Sequence, residues 1–244
     1  MGDHPEVERT LERLVRQLRE ATGPNLLGIA LYGSLAKGRY TPGVSDINVL
    51  IVVADADLPA LLPLAPVLTA ALRETHVVPF VVTPADLRAS AVLFPVKLLD
   101  IQLWHRLLWG DIRLADIEVQ PEPLRLRSLQ ELKNMELRMR LRIVERGGET
   151  DALWRGLVRN LPKLAVTLEV LLRARGVEVP ADADLPGVLR QAAQQLGIDP
   201  ERMERVAGLR RAEKRPDDET VHRLLADYLD LLAEICHRLE VEVG

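Results

Sequence analysis

The stretch that decides the fold is LYGSLAKGRYTPGVSDINVLIVV, from Leu31 to Val53. It joins the end of one apolar segment, Leu26 to Tyr32, to a second apolar segment, Asp46 to Val53. Gly33-Ser34 stops the first segment, and a Thr-Pro-Gly turn precedes the second. Short apolar runs rich in β-branched residues and bounded by turn residues predict buried β-strands. We therefore expect two strands joined by a glycine-containing turn.

The turn itself, Gly33 to Gly38, has the features of a phosphate-binding segment. Backbone N–H groups at the end of a strand can face an anion, and glycine lets a phosphate approach the chain closely. The Ser34 hydroxyl adds a donor. The segment is not a P-loop, because Arg39 and Tyr40 stand where that motif requires lysine and then serine or threonine. A tight turn without a ligand would also explain Gly-Ser. The residues that we assign to phosphate binding are Gly33, Ser34, Lys37 and Gly38.

Two oxygen-bearing side chains open the second predicted strand. Asp46 and Asn48 are two positions apart, so they point to the same face of a strand, while Ile47 and Val49 enter the core. Magnesium prefers a few protein oxygens and keeps its other positions for water and phosphate. The sequence therefore predicts a metal half-cage of Asp46 and Asn48 beside the phosphate turn.

At these residues the chain resembles the nucleotidyltransferase superfamily that includes DNA polymerase β, and in particular the aminoglycoside nucleotidyltransferases. The resemblance is carried by Gly33-Ser34 and by Ser45-Asp46-Ile47-Asn48 with the apolar run after it. It implies a mixed sheet with flanking helices, and a site that uses Mg²⁺ with an NTP, ATP being the expected nucleotide. It also implies transfer of a nucleoside monophosphate to a hydroxyl, with release of pyrophosphate.

The sequence departs from the superfamily pattern at two carboxylates. Asn48 stands where the family has a second acid, and it offers only a neutral carbonyl oxygen. The third family acid belongs early in the next core strand, yet His76 to Val82 contains no acid. Asp100, on a strand predicted for Val96 to Trp104, could serve as general base or metal ligand. Alternatively, Asp100 is a structural carboxylate paired with Lys97, Arg106 or a helix N-terminus. His76 is a further candidate base or a strand-edge histidine.

Beyond Pro121 and Pro123 every segment has helical periodicity. The sequence therefore predicts an α/β (α+β) domain over residues 1–118, followed by an all-helical bundle over residues 119–244. The helices expected in the bundle are Leu124 to Glu145, Ala152 to Arg175 with a kink at Pro162, Leu185 to Leu196, Glu201 to Arg211, and Glu219 to Leu239.

Composition restricts the partners. A net charge of −4 supplies no overall basic field, so nucleic acid binding is not favoured. The apolar runs are too short to span a membrane. The single cysteine, Cys236, reads as a core residue, and the N-terminus has no signal-peptide pattern, so we expect a cytoplasmic protein. The expected partners are an NTP and a small-molecule acceptor, whose identity the sequence leaves open together with the oligomeric state.

Two functions remain open from the sequence. The first is magnesium-dependent nucleotidyl transfer to a hydroxyl of a small molecule or protein, with Asp46 and Asp100 as catalytic carboxylates. The second is a catalytically inactive nucleotide-binding or partner-binding protein on the same scaffold. The missing carboxylates at Asn48 and in His76 to Val82 leave the choice open.

Overall fold

Two separately packed units, residues 1–120 and 121–244, make up the chain. The computed structural model describes residues 4–42, 45–180, 183–209 and 214–241. In the first unit the strands are β1 (Leu26–Tyr32), β2 (Ile47–Val53), β3 (Val77–Val82) and β4 (His105–Gly110). The helices of the first unit are α1 (Pro5–Thr22), α2 (Leu58–Leu61), α3 (Leu64–Thr75), α4 (Pro84–Leu93) and α5 (Pro95–Leu103).

The four strands form one mixed sheet in the order β3-β2-β1-β4. Strand β1 is antiparallel to both β2 and β4, whereas β2 and β3 are parallel. Pro79 lies in β3, at the edge of the sheet, where its missing N–H group leaves no ladder partner unpaired. The mixed sheet with flanking helices confirms the fold class that the sequence predicts.

Both faces of the sheet are buried. Leu31, Val49 and their neighbours pack with α1 and α3, whereas Leu50 and Val52 on the other face pack with Leu98 of α5. Burial on both faces explains why β1 and β2 read as nearly continuous apolar runs. The site residues at the end of β1 and the start of β2 therefore stand on a closely packed support.

The strand predicted for Val96 to Trp104 is wrong, because this segment is helix α5. Apolar residues occupy both odd and even positions here, so they satisfied an alternating pattern and a helical one equally. Leu98 and Ile101, three residues apart, are both buried, and Pro95 begins the helix. The fourth strand is instead β4, a half-exposed edge strand directly after α5.

A capping box begins helix α4. The Thr83 hydroxyl accepts a hydrogen bond from the Asp86 N–H at 3.2 Å, and the Asp86 carboxylate accepts one from the Thr83 N–H at 2.9 Å. The hydrogen bonds that the Asp86 carboxylate accepts from the Thr83 N–H and from the Thr83 hydroxyl hold the pKa of Asp86 below its usual range. The bonds that lower this pKa stabilise the fold fully at a pH above the unfolded-state pKa of the carboxyl. Their contribution is lost as the pH falls through the lower folded-state pKa.

Replacing Thr83 by alanine is expected to lower the free energy of unfolding by about 1 kcal/mol at neutral pH. In urea denaturation the difference from the parent protein should shrink as the pH falls below the ordinary carboxyl pKa of about 3.9, because the unfolded chain then binds a proton more readily than folded Asp86 does. Thr83→Ser keeps the hydroxyl and serves as the control. A difference that stays constant into acid would show that Asp86 has no part in the cap.

The second unit is helical throughout its described residues. Its helices are α6 (Pro121–Arg146), α7 (Thr150–Ala174), α8 (Leu185–Leu196), α9 (Pro200–Gly208) and α10 (Asp218–Val241). Helix α7 continues through Pro162, and the carboxylates of Asp199 and Asp217 accept hydrogen bonds from the first turns of α9 and α10. The last residues of the predicted helix Glu201 to Arg211 lie outside the described part. These helices confirm the predicted helical second half.

Cys236 is a core residue, as the sequence predicts. It is buried among the apolar side chains of the helical unit, and burial raises the pKa of its thiol to about 11. A thiol that stays protonated at neutral pH is a poor nucleophile. Across the described residues, no helix combines the length and the apolar character needed to cross a membrane.

Candidate functional site

The glycine turn and the start of β2 lie against each other. In the antiparallel register Tyr32 pairs with Asn48, so the turn leaves β1 beside the first residues of β2. Gly33 has a φ of +78°, and a Cβ built there would lie 2.9 Å from the Asn48 Nδ2 atom. Only glycine fits both the backbone conformation and the close approach. The predicted phosphate turn and the predicted metal ligand are therefore brought together.

Residues 33–38 form one irregular helical turn. The Lys37 N–H donates to the Gly33 carbonyl at 3.0 Å, and the Arg39 N–H donates to the Ser34 carbonyl at 2.8 Å. In the described part of the chain, the N–H groups of Ser34, Leu35 and Ala36 have no acceptor, and neither does the Ser34 hydroxyl. Successive free N–H groups at the start of a helical turn form a suitable binding site for an anion.

Asp46 stands free at the start of β2. The carboxylate is exposed and makes no ion pair with any residue that the structure describes. Its two neighbours are fixed: the Ser45 N–H donates to the Thr41 carbonyl at 2.9 Å, and the Ile47 N–H donates to the His76 carbonyl at 3.1 Å. The backbone therefore holds Asp46 in place while its carboxylate remains available for a ligand.

Asn48 is half-buried, and its amide has no partner among the described residues. In the parallel register with β3, the residue beside it is Val78, so the neighbouring strand brings no acid there. No group of three or more His, Cys, Asp or Glu side chains that could hold a metal occurs within the described ranges. One carboxylate and one amide oxygen suit a single Mg²⁺ that arrives with phosphate ligands, and they are a poor donor set for two cations.

Lys37 and Asp100 form an ion pair that the sequence did not predict. The Lys37 Nζ atom lies 2.5 Å from the Asp100 Oδ1 atom, and the side chains are only 4% and 11% exposed. The pair links the glycine turn to helix α5. Asp100 therefore reaches the glycine turn from helix α5. Its carboxylate neutralises Lys37, the cation that the sequence predicts to bind phosphate.

The basic partners proposed for Asp100 have other contacts. The Lys97 ammonium lies 3.5 Å from the centre of the Phe80 ring, and burial lowers the Lys97 pKa. Arg106 donates two hydrogen bonds of 2.8 Å to the Glu8 carboxylate. Burial and the nearby negative charge of Asp100 raise the pKa of Tyr32 to about 12. Tyr32 therefore stays protonated beside this pair at neutral pH.

His76 ends helix α3 instead of opening a strand. It adopts the left-handed conformation, with a φ of +54°, and β3 begins at the next residue. Its side chain is exposed. The structural contribution of His76 is its carbonyl, which accepts from the first residue of β2.

Sequence reasoning also missed a cleft of about 270 Å³ beside the glycine turn. Leu35, Ala36 and Gly38 of the turn line it, together with the Arg106–Glu8 pair. His4 and Tyr40 pack edge to face at its rim, with ring centres 5.2 Å apart. These residues come from α1 and the residue before it, from residues 35–40, and from β4. Because β4 was not predicted, the sequence pattern could not show that these segments meet.

Comparisons with known proteins agree with this geometry. The family described as a nucleotidyltransferase domain matches residues 11–89, which include β1, the glycine turn and β2. No curated protein sequence gives a significant match.

Two solved structures resemble the chain. A spectinomycin adenyltransferase from Enterococcus faecialis, solved with ATP and spectinomycin, has a TM-score of 0.54 at 12% identity, covering 91% of this chain and 98% of the other. A nucleotidyltransferase-like protein from Exiguobacterium sibiricum has a TM-score of 0.39 at 14% identity, covering 96% and 79%. The first likeness supports the fold. Residues 11–89 therefore match a nucleotidyltransferase domain, and the chain resembles the nucleotidyltransferase superfamily in its fold.

Proposed function

We propose that the chain transfers a nucleoside monophosphate from an NTP, with ATP as the expected donor, to a hydroxyl of a small molecule. The observation that supports this most directly is the close approach of Gly33 to Asn48, which leaves no room for a Cβ atom at Gly33. Free N–H donors, the Ser34 hydroxyl and the amide of Asn48 thus lie together at one end of the central strands β1 and β2, close in sequence to the Asp46 carboxylate. Anion donors beside oxygen ligands are the arrangement that a metal-bound triphosphate requires.

In the proposed reaction the acceptor oxygen attacks the α-phosphorus, and the bond from that phosphorus to the bridging oxygen of the β-phosphate breaks. Pyrophosphate leaves, and the hydroxyl proton passes to a base. The turn binds phosphate oxygens, while Asp46 and Asn48 would hold Mg²⁺. When bound, that ion would neutralise charge on the phosphates. We expect the acceptor to be a small molecule, as in the small-molecule branch of the superfamily, of which the similar spectinomycin adenyltransferase is an example.

We further propose that Asp100 acts mainly through Lys37. The Lys37 ammonium, 2.5 Å from its Oδ1 atom, already binds the carboxylate that would otherwise accept the hydroxyl proton. The pair would hold the glycine turn against α5 and so orient its N–H groups. Lys37 would then contact a phosphate group only by leaving Asp100.

A nucleotide-binding protein without transfer activity is the second candidate function. The observations that favour it are the neutral amide of Asn48, the apolar Val78 beside it, and the ion pair that occupies Asp100. A site with one free carboxylate can bind a Mg–nucleotide while it lacks the second ion that activates the attacking oxygen.

Incubation with α-labelled NTPs, Mg²⁺ or Mn²⁺, and a panel of hydroxyl acceptors, aminoglycosides included, separates the two functions. Labelled acceptor would support transfer. Nucleotide binding without labelled acceptor, even with Mn²⁺, would support the second function. Failure of both binding and transfer would contradict the assignment of the site.

Replacing Asn48 by aspartate is expected to strengthen Mg²⁺-dependent nucleotide binding about tenfold and to raise any transfer rate. The reason is that a second carboxylate restores one negative charge to the cage. Titration with Mn²⁺ or Mg–ATP measures the change in affinity. The control is Asn134→Asp, which adds the same charge at an exposed position of α6. If Asn48→Asp gives no gain in affinity or turnover, Asn48 is not what limits the cage.

A further inference from the structure

The helical unit has a groove lined by arginines between α6 and α7. Its volume is about 480 Å³. The arginines are evenly spaced at four-residue intervals on each helix, so their side chains project from one face. We name the following set the arginine groove: Arg138, Arg142 and Arg146 of α6, and Arg155 and Arg159 of α7.

Most of this charge is not neutralised within the protein. Arg146 pairs with Glu149, whereas Arg138, Arg142, Arg155 and Arg159 form no ion pair with any residue in the described ranges. Only two acids, Glu145 and Glu149, line the groove with the five arginines, which leaves a formal charge of +3.

Several arginines elsewhere in the same unit pair with an acidic side chain. Arg140 pairs with Glu136, Arg190 with Glu204, and Arg205 with Asp227. Like charges at four-residue spacing destabilise a helix unless a counter-ion is present. The groove therefore concentrates unpaired cations in a unit where several other arginines have an acidic partner.

Close packing of the two helices fixes the centre of the groove. Gly156 of α7 is buried, and a Cβ built there would lie 2.6 Å from the Arg142 Cδ atom and 2.8 Å from its Nε atom. The missing side chain lets Arg142 lie across α7 at Gly156, which stands between Arg155 and Arg159 in the sequence. A guanidinium held in this way loses little freedom when it binds a planar or branched anion.

We propose that the arginine groove is a binding site for a ligand with clustered phosphate groups. Guanidinium groups bind phosphate oxygens in pairs, and several convergent arginines select a multiply charged anion over a single carboxylate. The volume and the charge suit a pyrophosphate or triphosphate group. This site is built only from α6 and α7, so the inference does not rest on nucleotidyl transfer by the first unit.

Titration of the full chain with inorganic pyrophosphate and tripolyphosphate, by calorimetry at low and moderate salt, tests the site. We expect the affinity to fall as the salt concentration rises. In the double variant Arg142→Gln/Arg155→Gln, we expect the affinity to fall about tenfold for each arginine removed. The double variant Arg127→Gln/Arg223→Gln removes the same charge from side chains that donate to Gln130 and Thr220, and should bind as the parent does.

Gly156→Ala tests the geometry with every charge retained. The added methyl group must displace Arg142, so we expect weaker binding of tripolyphosphate and an unchanged helical circular dichroism signal. Binding of tripolyphosphate in the presence of saturating ATP would identify a separate phosphorylated ligand, whereas competition would identify the nucleotide as its source. Equal affinity in the parent, Arg142→Gln/Arg155→Gln and control proteins, or no binding to any of them, would overturn the proposal.

Discussion

Replacing Asp46 by alanine is expected to reduce nucleotidyl transfer at least about a hundredfold and leave the fold intact. Asp46 carries the one free carboxylate of the site among the described residues, and Asn48 has no charge to compensate for its loss. Removal of even an indirect metal contact typically lowers activity or affinity tenfold to a hundredfold, so the loss of a direct ligand should exceed that. Transfer of label from α-labelled ATP measures the effect.

Stability should change little in this variant. The Asp46 carboxylate is exposed and makes no ion pair within the described residues, so its removal leaves no buried group without a partner. Substitutions of that kind usually change the free energy of unfolding by less than about 0.5 kcal/mol. A large loss of stability would mean that a loss of activity reports on folding and not on the site.

Asp55→Ala is the matched control, because Asp55 is an exposed carboxylate that follows the same strand at its other end. It should retain transfer. Equal transfer by the parent and Asp46→Ala would place the chemistry elsewhere and contradict the proposed site. Weakened Mg–ATP binding in Asp46→Ala, in a protein that transfers nothing even with Mn²⁺, would instead support the nucleotide-binding function.

The sequence was sufficient for the part of the site that depends on local signals. Buried strands β1 and β2 are apolar over nearly their whole length, and turn residues mark the ends that form the site. The antiparallel pairing of adjacent strands then brings Gly33 to Asn48. Because this contact joins neighbouring elements, strand pattern and turn chemistry were enough to anticipate it.

Contacts between distant segments could not be read in the same way. Lys37 and Asp100 are 63 residues apart, and their pairing depends on α5 covering the sheet. The apolar residues of α5 satisfy both a strand and a helix pattern, so the sequence placed Asp100 on the wrong element. Strand β4 has polar and apolar residues mixed at an exposed edge, which gives no clear signal.

Replacing Lys37 by methionine is expected to lower the free energy of unfolding of the first unit by about 3–5 kcal/mol. Both side chains of the Lys37–Asp100 pair are almost entirely buried, so the change leaves a carboxylate in a low-dielectric site without the ammonium beside it. Urea denaturation followed by tryptophan fluorescence measures the loss, since Trp104 and Trp109 lie in the first unit.

An exposed pair provides the comparison. Arg13 and Glu74 are 3.4 Å apart, with side chains 49% and 60% exposed, so Arg13→Met should cost at most about 1 kcal/mol. Replacing both members of the buried pair, as Lys37→Met/Asp100→Leu, should recover much of the stability, because no isolated charge remains. A loss in Lys37→Met no larger than that in Arg13→Met would contradict a structural role for the pair.

The same double variant separates the two roles of Lys37. If the lysine only holds the glycine turn, ATP should bind to Lys37→Met/Asp100→Leu almost as tightly as to the parent, since the N–H groups of Ser34 to Ala36 remain. If Lys37 leaves Asp100 to contact phosphate, removal of its charge should weaken ATP binding about tenfold or more at equal stability. Affinity measured beside stability therefore decides whether the ion pair is a permanent support of the turn or the resting state of a phosphate ligand.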